Sequence, residues 1–565
     1  MMFKKHTWKN VYSIGTYYSF ESKIPVRTVV SKEENSLYQL LNNNINFDLF
    51  DFNGSDNALL IQMNHFDELP GDAFIVDTRK NTIEIKSSTI RGFIYGIHAL
   101  NEIVTYQNNS IILPVLLIED EPDFPIRGII EGYYGTPWTF EERMEMFPFM
   151  VKHRLNTYMY GPKVDPYHRI EWRTPYPDEQ LNLFKRMIDK ANKLYIDFWM
   201  CMSPAYHEKG SIPIDYASDD DKKLLFAKYQ QFIDLGLTRF GLLYDDIDYA
   251  LQGDSLQKYQ RPGIAHALLA NALLSFLKSK IDNPQLVICP TEYHEIGSSP
   301  YRDDLRLNLN KEIAVFWTGD NVVAEAISNQ DIIRTKAAFD KPIYLWDNFP
   351  VSDFTYGVRE FIGPIKNRTV DLKKHVDAYL INPSIHYQIS KVGMITMARY
   401  AWNAGSYKPE ESYLYALNCI DPLLTLYGKA FFNHNSPNPL DASKHIVDQE
   451  LAKSFPSSAI TDYYMDVKKS ADQLLSIESL FIDELRPWLL RTLKEVELIA
   501  KMSSNDVKKS EIIDFLQDIH FPGSELFDLI LLDLKLLEEQ EYKDLIITRR
   551  GRKWYRVFEA KRWQK

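Results

Sequence analysis

The spacing of apolar residues changes character twice along the chain, and the changes mark its parts. Within the first 122 residues, short alternating runs at 58–63, 73–77 and 82–86 predict strands, the last two joined by a polar turn. Behind them Ile90, Phe93, Ile94, Ile97, Leu100 and Ile103 keep helical spacing over 89–105. These patterns predict a small α+β domain at 1–122, and no polar cluster interrupts them, so it reads as a packing unit without chemistry. The stretch Glu119-Asp120-Glu121-Pro122-Asp123-Phe124-Pro125 mixes acids with proline and predicts an extended, exposed linker.

Beyond it the texture is different. Eight continuous β-prone runs follow, at 126–134, 156–160, 196–202, 239–244, 286–290, 313–317, 342–346 and 377–381. Helical periodicity fills intervals between them, for example at 141–153, 179–194, 222–235 and 264–280. Strands alternating with helices over 123–407 predict an α/β fold, a (β/α)8 TIM barrel, with a doubly wound open sheet as the alternative. From about 408 the strand signals vanish, and long helical patterns at 463–500 and 525–541 predict a helical domain over 408–565. It ends in a basic tail, Arg549-Arg550-Gly551-Arg552-Lys553-Trp554-Tyr555-Arg556, which reads as solvated.

Composition narrows the class. With 565 residues, 45% hydrophobic and 25% charged, the chain can bury a large core, and global disorder is excluded. A net charge of −12 argues against a nucleic-acid coat. Cys201, Cys289 and Cys419 are far apart, so neither a disulfide framework nor a cysteine metal site is expected. No apolar leader follows Met1 and no uncharged 18-residue stretch occurs, so a cytoplasmic protein without membrane spans is expected.

A barrel places its catalytic groups at the carboxyl ends of the strands. The runs stop at Glu131-Gly132-Tyr133-Tyr134, Gly161-Pro162-Lys163, Asp245-Asp246-Ile247-Asp248, Thr291-Glu292-Tyr293-His294, Asp347-Asn348 with Asp353 just beyond, and Asn382-Pro383. Asp245-Asp246 is the sharpest of these. Where a strand ends and the backbone turns, neighbouring carboxylates can reach one pocket, and close carboxylates separate into an acid and an anion. Three readings are open from the residues alone. A hard cation could take Asp245, Asp246 and Asp248, but no histidine pair or acidic loop pattern supports it. The aspartates could cap a helix. Paired carboxylates among aromatics also suit acid/base cleavage of a glycoside.

The run Arg127-Gly128-Ile129-Ile130-Glu131-Gly132-Tyr133-Tyr134-Gly135-Thr136-Pro137-Trp138 resembles the opening barrel strand of glycoside hydrolase family 84, the O-GlcNAcase and bacterial hyaluronidase-like β-N-acetylglucosaminidases. Leu155 to Lys163, Asp165-Pro166-Tyr167-His168-Arg169, Leu243 to Asp248, Pro290-Thr291-Glu292-Tyr293, Phe316 to Gly319, Trp346-Asp347-Asn348 and Asn382-Pro383 recur in that family's order. The likeness covers the whole barrel, and the first domain also looks like the one that precedes the barrel in this family. Tyr133 stands where Phe is common and Phe354 where Tyr is usual, which puts any contact of that phenol in doubt.

The resemblance implies an exo-acting hydrolase that removes terminal β-linked N-acetylglucosamine by substrate-assisted, retaining catalysis through an oxazoline. By position, Asp245 would polarise the acetamido N–H and Asp246 would be the acid and base. Tyr293, Trp346 and Asn348 would form the acetamide pocket, with Tyr133 and Tyr134 at its rim. Gly132 and Lys163 would hold sugar hydroxyls, and Asp353 and Asn382 would bind the 4- and 6-hydroxyls. No cofactor or metal is implied. The expected partner is a glycan or glycoprotein carrying N-acetylglucosamine; a homo-oligomer through the helical domain is left open. An endo-acting hyaluronan hydrolase and a catalytically idle sugar-binding scaffold are the alternatives.

Overall fold

The computed structural model describes residues 8–28, 35–52, 58–207, 210–353, 360–435, 440, 443–517 and 524–533; Phe354 and the tail at 549–556 lie outside the described residues. The chain forms two compact units.

The first unit takes residues up to Pro125 together with Pro148–Asn156 and Ala398–Tyr407. Its strands are β1 (Asn10–Phe20), β2 (Ile24–Thr28), β3 (Phe50–Asp51), β4 (Leu59–His65), β5 (Phe74–Asp77), β6 (Thr82–Ser87), β7 (Thr105–Gln107) and β8 (Ser110–Asp120). They make one mixed sheet in the order β1-β8-β5-β6-β4-β2-β3, with β7 paired to β8. The helix Ile90–Ile103 begins where the Thr89 hydroxyl accepts the Gly92 N–H at 3.0 Å, satisfying one of the free amides of a first helical turn. Phe93, Ile97 and Leu100 then enter the same core as Val76, Ile83 and Ile85 of the sheet. Trp402 completes that core, edge-on to Tyr95 at 5.4 Å.

The expected exposed linker is not one. Strand β8 runs on to Asp120, whose buried carboxylate accepts the Lys9 N–H at 3.1 Å and the Trp402 indole N–H at 2.7 Å. Asp123 takes the Lys9 ammonium at 2.7 Å, and Phe124 is fully buried. Two of the acids that suggested solvent, Asp120 and Asp123, are instead held by partners, while Glu121 stays exposed.

The second unit comprises Ile126–Phe147, Thr157–Met397 and the chain from Lys408. All eight apolar runs became parallel strands: β9 (Ile126–Glu131), β10 (Thr157–Tyr160), β11 (Asp197–Met202), β12 (Arg239–Leu243), β13 (Gln285–Cys289), β14 (Ala314–Trp317), β15 (Ile343–Asp347) and β16 (Ala378–Ile381). They close in sequence order into a barrel, β16 pairing with β9. Its interior is packed by residues such as Ile130, Met159, Trp199, Leu243, Val287, Phe316 and Leu380, so the barrel is a core and not a pore. The open-sheet alternative is thereby set aside.

Helix starts differ where charge hides the periodicity. The helix expected from 222 begins at Asp219, because Asp219, Asp220 and Asp221 occupy its first turn and Ser218 accepts the Asp221 N–H. Carboxylates there complement the positive end of the helix dipole. The long pattern at 463–500 is two helices, Ser458–Leu475 and Leu480–Ser503, since Ser479 caps the second through the Ile482 N–H. Of the pattern at 525–541, the described part is the helix Glu525–Asp533. Helices Pro409–Ile420, Pro422–Tyr427, Lys429–Asn435, Ser443–Ala452 and Lys509–Gln517 fill the rest of this region. Among the described residues, no helix is long and apolar enough to cross a membrane.

Candidate active site

Asp245 and Asp246 follow β12 at the carboxyl end of the barrel. Asp246 has φ +53°, a left-handed backbone that aspartate tolerates better than most side chains. That turn breaks the strand alternation between the two residues. Asp245 stays buried, and its Oδ2 receives the ammonium of buried Lys163, which reaches across from the end of β10, two strands away in the barrel. Its other oxygen, Oδ1, is buried with no hydrogen-bond partner. Burial acts to raise the Asp245 pKa, but the Lys163 ammonium and then the Arg169 guanidinium outweigh it and hold the carboxyl below its ordinary value.

Asp246 is exposed and is addressed by two phenols. Tyr134 donates to its Oδ2 at 2.7 Å and Tyr293 to its Oδ1 at 3.0 Å. Burial pushes both phenols above their ordinary pKa, opposed at Tyr134 by the Arg169 charge and joined at both by the Asp246 charge, so they remain proton donors.

A second group forms a wall. Buried Trp346, on β15, donates its indole N–H to Asn348 Oδ1 at 2.9 Å, and the Asn382 amide donates to that same oxygen at 2.8 Å. Asn382 Oδ1 accepts the Gly132 N–H at 3.2 Å. The Lys163 ammonium lies 5.5 Å from the Trp346 ring centroid. Gly132 allows this closeness: a Cβ there would lie 2.2 Å from Trp346 Cζ2. Asp353 Oδ2 accepts the Tyr134 N–H at 2.9 Å, tying its loop to the end of β9.

The structure thus brings Gly132, Lys163, Asp245, Asp246, Tyr293, Trp346, Asn348, Asp353 and Asn382 into one connected set of contacts. Tyr133 is the exception. Its side chain is fully buried, and its hydroxyl sits between the Glu131 carboxylate at 3.4 Å and the Trp138 N–H at 3.1 Å, so it faces packing and not the rim. Tyr134 supplies the rim hydroxyl instead. Arg169 was not singled out by the sequence, yet its Nη2 donates to the Tyr134 oxygen at 2.9 Å. The only signal for it was its place in the run Asp165 to Arg169. Asp347, next to the wall, is structural: Arg368 pairs with both its oxygens at 2.8 Å. Among the described residues, no group of three or more His, Cys, Asp or Glu side chains is arranged to hold a metal ion.

A sequence model of the β-N-acetylglucosaminidase family matches residues 127–431. The Protein O-GlcNAcase of Rattus norvegicus is 29% identical over 279 residues, which is 48% of this chain and 29% of the rat protein; the match therefore spans under a third of that relative. A mutant of the Thermobaculum terrenum O-GlcNAc hydrolase superposes with a TM-score of 0.65 at 27% identity, covering 77% of this chain and 94% of the other. CpGH84B superposes at 0.74 over 99% of this chain and 100% of its own, with 23% identity, a likeness of fold.

Proposed function

The chain belongs to the β-N-acetylglucosaminidase family, glycoside hydrolase family 84, and from that premise we propose that it removes terminal β-linked N-acetylglucosamine as an exo-acting, retaining hydrolase. One observation carries the mechanism: a buried, ionised carboxylate with one unpartnered oxygen lies beside an exposed carboxylate.

Asp245 Oδ1 is an acceptor awaiting a donor. The acetamido N–H of the sugar would fill it, and withdrawing that hydrogen enriches the acetamido oxygen, which attacks C1. As the C1–O bond breaks, Asp246 gives its proton to the leaving oxygen and an oxazoline forms. Asp246 then takes a proton from water, which opens the ring at C1 with overall retention. The sugar supplies its own nucleophile, so two adjacent aspartates suffice where other retaining enzymes place carboxylates across the ring. Trp346 offers an apolar wall for the acetamide methyl, while Asn348 and Asn382 hold its polar rim through the hydrogen bond that the Asn382 amide donates to Asn348 Oδ1. Asp353 and Asn382 would bind the 4- and 6-hydroxyls, which requires an unblocked terminal sugar. The acceptor is a glycan or glycoprotein, and among such substrates O-GlcNAc-bearing protein is the reading that fits the relatives' names.

Asp246→Ala should lose turnover on an aryl N-acetylglucosaminide, since a positioned acid is worth on the order of 10²–10⁴ in rate. Unchanged turnover would sink the assignment. A thiazoline mimic of the oxazoline should inhibit competitively, and a substrate lacking the acetamido group should be inert. Release of oligosaccharides from hyaluronan would favour an endo-acting enzyme instead.

A further inference from the structure

We infer that Arg169 is a positioning residue that, through Tyr134, fixes which oxygen of Asp246 carries the catalytic proton. This rests on the acid/base role proposed for Asp246.

The first observation is an anomaly of burial. Arg169 is 1% exposed, yet among the described residues no carboxylate forms an ion pair with its guanidinium, Asp245 and Asp246 acting on it only through space, and its Nε–H has no partner. A buried cation is costly unless it is paired, and a guanidinium kept only for stability would be expected to meet a carboxylate. Here the charge lies 3.9 Å from the centroid of the Tyr206 ring and gives a single side-chain hydrogen bond, to the Tyr134 oxygen.

The second observation is that the group cannot swing away. The segment carrying it is fixed from below: Asp165 accepts the N–H groups of Tyr167 and His168 at 2.9 and 3.3 Å, and the phenols of Tyr160 and Tyr176 at 2.9 Å each. From the helix Asp219–Asp234, the Lys228 ammonium donates to the Tyr167 carbonyl at 2.5 Å and the Glu171 carbonyl at 3.3 Å. Arg169 is thus presented to Tyr134 at a set distance.

The consequence follows from hydrogen-bond direction. A phenol has one hydrogen to donate and lone pairs with which to accept. Tyr134 already accepts from Arg169, so its own hydrogen points to Asp246 Oδ2. Oδ2 is therefore an acceptor in both protonation states, and the proton of the acid form is left to Oδ1. Tyr293, which meets Oδ1, receives no arginine hydrogen bond among the described residues, so it can accept from the protonated oxygen and turn to donor as that proton leaves. Two tyrosines that look equivalent around one carboxylate are made different by one guanidinium.

The charged and titratable groups around Asp246 are Asp245 with its Lys163 partner, Tyr134 with Arg169, Tyr293, and the buried Cys289 thiol. Of these, only Arg169 acts on Asp246 through a shared hydroxyl.

The test measures kcat/KM on two aryl N-acetyl-β-glucosaminides, one with a phenol leaving group that needs protonation and one with 2,4-dinitrophenol, which does not. For Arg169→Met, turnover of the phenyl substrate should fall about 10²-fold, within the range of a misplaced acid, while the dinitrophenyl substrate falls only a few-fold. Tyr134→Phe should reproduce both effects, the double variant should be no worse than Tyr134→Phe alone, and Arg169→Lys should restore part of the loss. Equal losses on both substrates, or a full additional loss in the Tyr134→Phe background, would overturn the inference. If Arg169→Met does not fold, Tyr134→Phe decides by itself, since it removes one oxygen: an unchanged ratio between the substrates refutes the relay. Asp246→Ala measured alongside separates the two levels. If it spares the phenyl substrate, the acid assignment fails; if it abolishes that substrate while Arg169→Met does nothing, only this inference fails.

Discussion

Lys163→Met removes one charge from the interior of the site while keeping an unbranched apolar stem one atom shorter. Lys163 and Asp245 are 2% and 7% exposed at their side chains, so the variant leaves a carboxylate in a low-dielectric surrounding. Breaking a buried pair from one side costs about 3–5 kcal/mol. The same figure can be approached through protonation. A neighbouring cation lowers a carboxyl by about 1–3 pKa units, and each unit is worth about 1.4 kcal/mol, which gives roughly 1.4–4 kcal/mol. The sign fixes the pH window. In the intact protein the Asp245 value lies below the ordinary 3.8, so its contribution to stability is present above 3.8 and is lost as pH falls through the lower folded value. In the variant, burial is no longer opposed by Lys163 and the folded value rises. The neutral form is then favoured, and its contribution is lost as pH climbs through the raised value. The stability gap between the two proteins should be widest at neutral pH and close as pH falls towards 4. Urea unfolding of both proteins from pH 4.5 to 8 measures it. A gap that does not change with pH would refute the view that Lys163 answers the charge of Asp245.

Other substitutions probe the wall and the first unit. Gly132→Ala puts a methyl 2.2 Å from Trp346 Cζ2, so the indole must move; thermal unfolding should show a loss of about 1–3 kcal/mol from overpacking, and kcat/KM should fall on the order of 10²-fold from misplacement. Wild-type kinetics in that variant would mean that Trp346 has no part in the site. Burial raises Asp120 to about 6 against the attraction of Arg154, so its stability contribution is complete below 3.8 and is lost as pH rises through 6. Asp120→Asn should remove that decline, worth roughly 3 kcal/mol, from the pH dependence of unfolding; an unchanged curve would contradict the buried ionisation.

What could be read from the sequence depended on whether the signal was local. The barrel strands are buried on both faces, so each appears as an unbroken apolar run, and the residue after each run lands at the same end of the barrel. That is why Lys163, Asp245, Tyr293, Asn348 and Asn382 could be picked out together. Tyr133 and Tyr134 could not be told apart, because they follow the end of β9, where the backbone turns and alternation no longer assigns a face. Arg169 sits in an irregular segment and acts through a residue 35 positions away, and no spacing rule reports such a contact. The acids at 119–123 misled for the opposite reason: composition counts charges without knowing their partners, and Lys9 and Trp402 supply those.

Trp402 sets a clock on synthesis. The sheet of the first unit is encoded almost at once, but the indole that fills its core and bonds Asp120 comes 282 residues later. At roughly 5–20 residues per second, the ribosome delivers it about 15–55 s after Asp120. During that interval the nascent sheet carries a gap shaped for a tryptophan, bordered by Tyr95, Phe74 and Arg154. A chain stalled anywhere before that point therefore holds an unfinished first unit, however complete its strands.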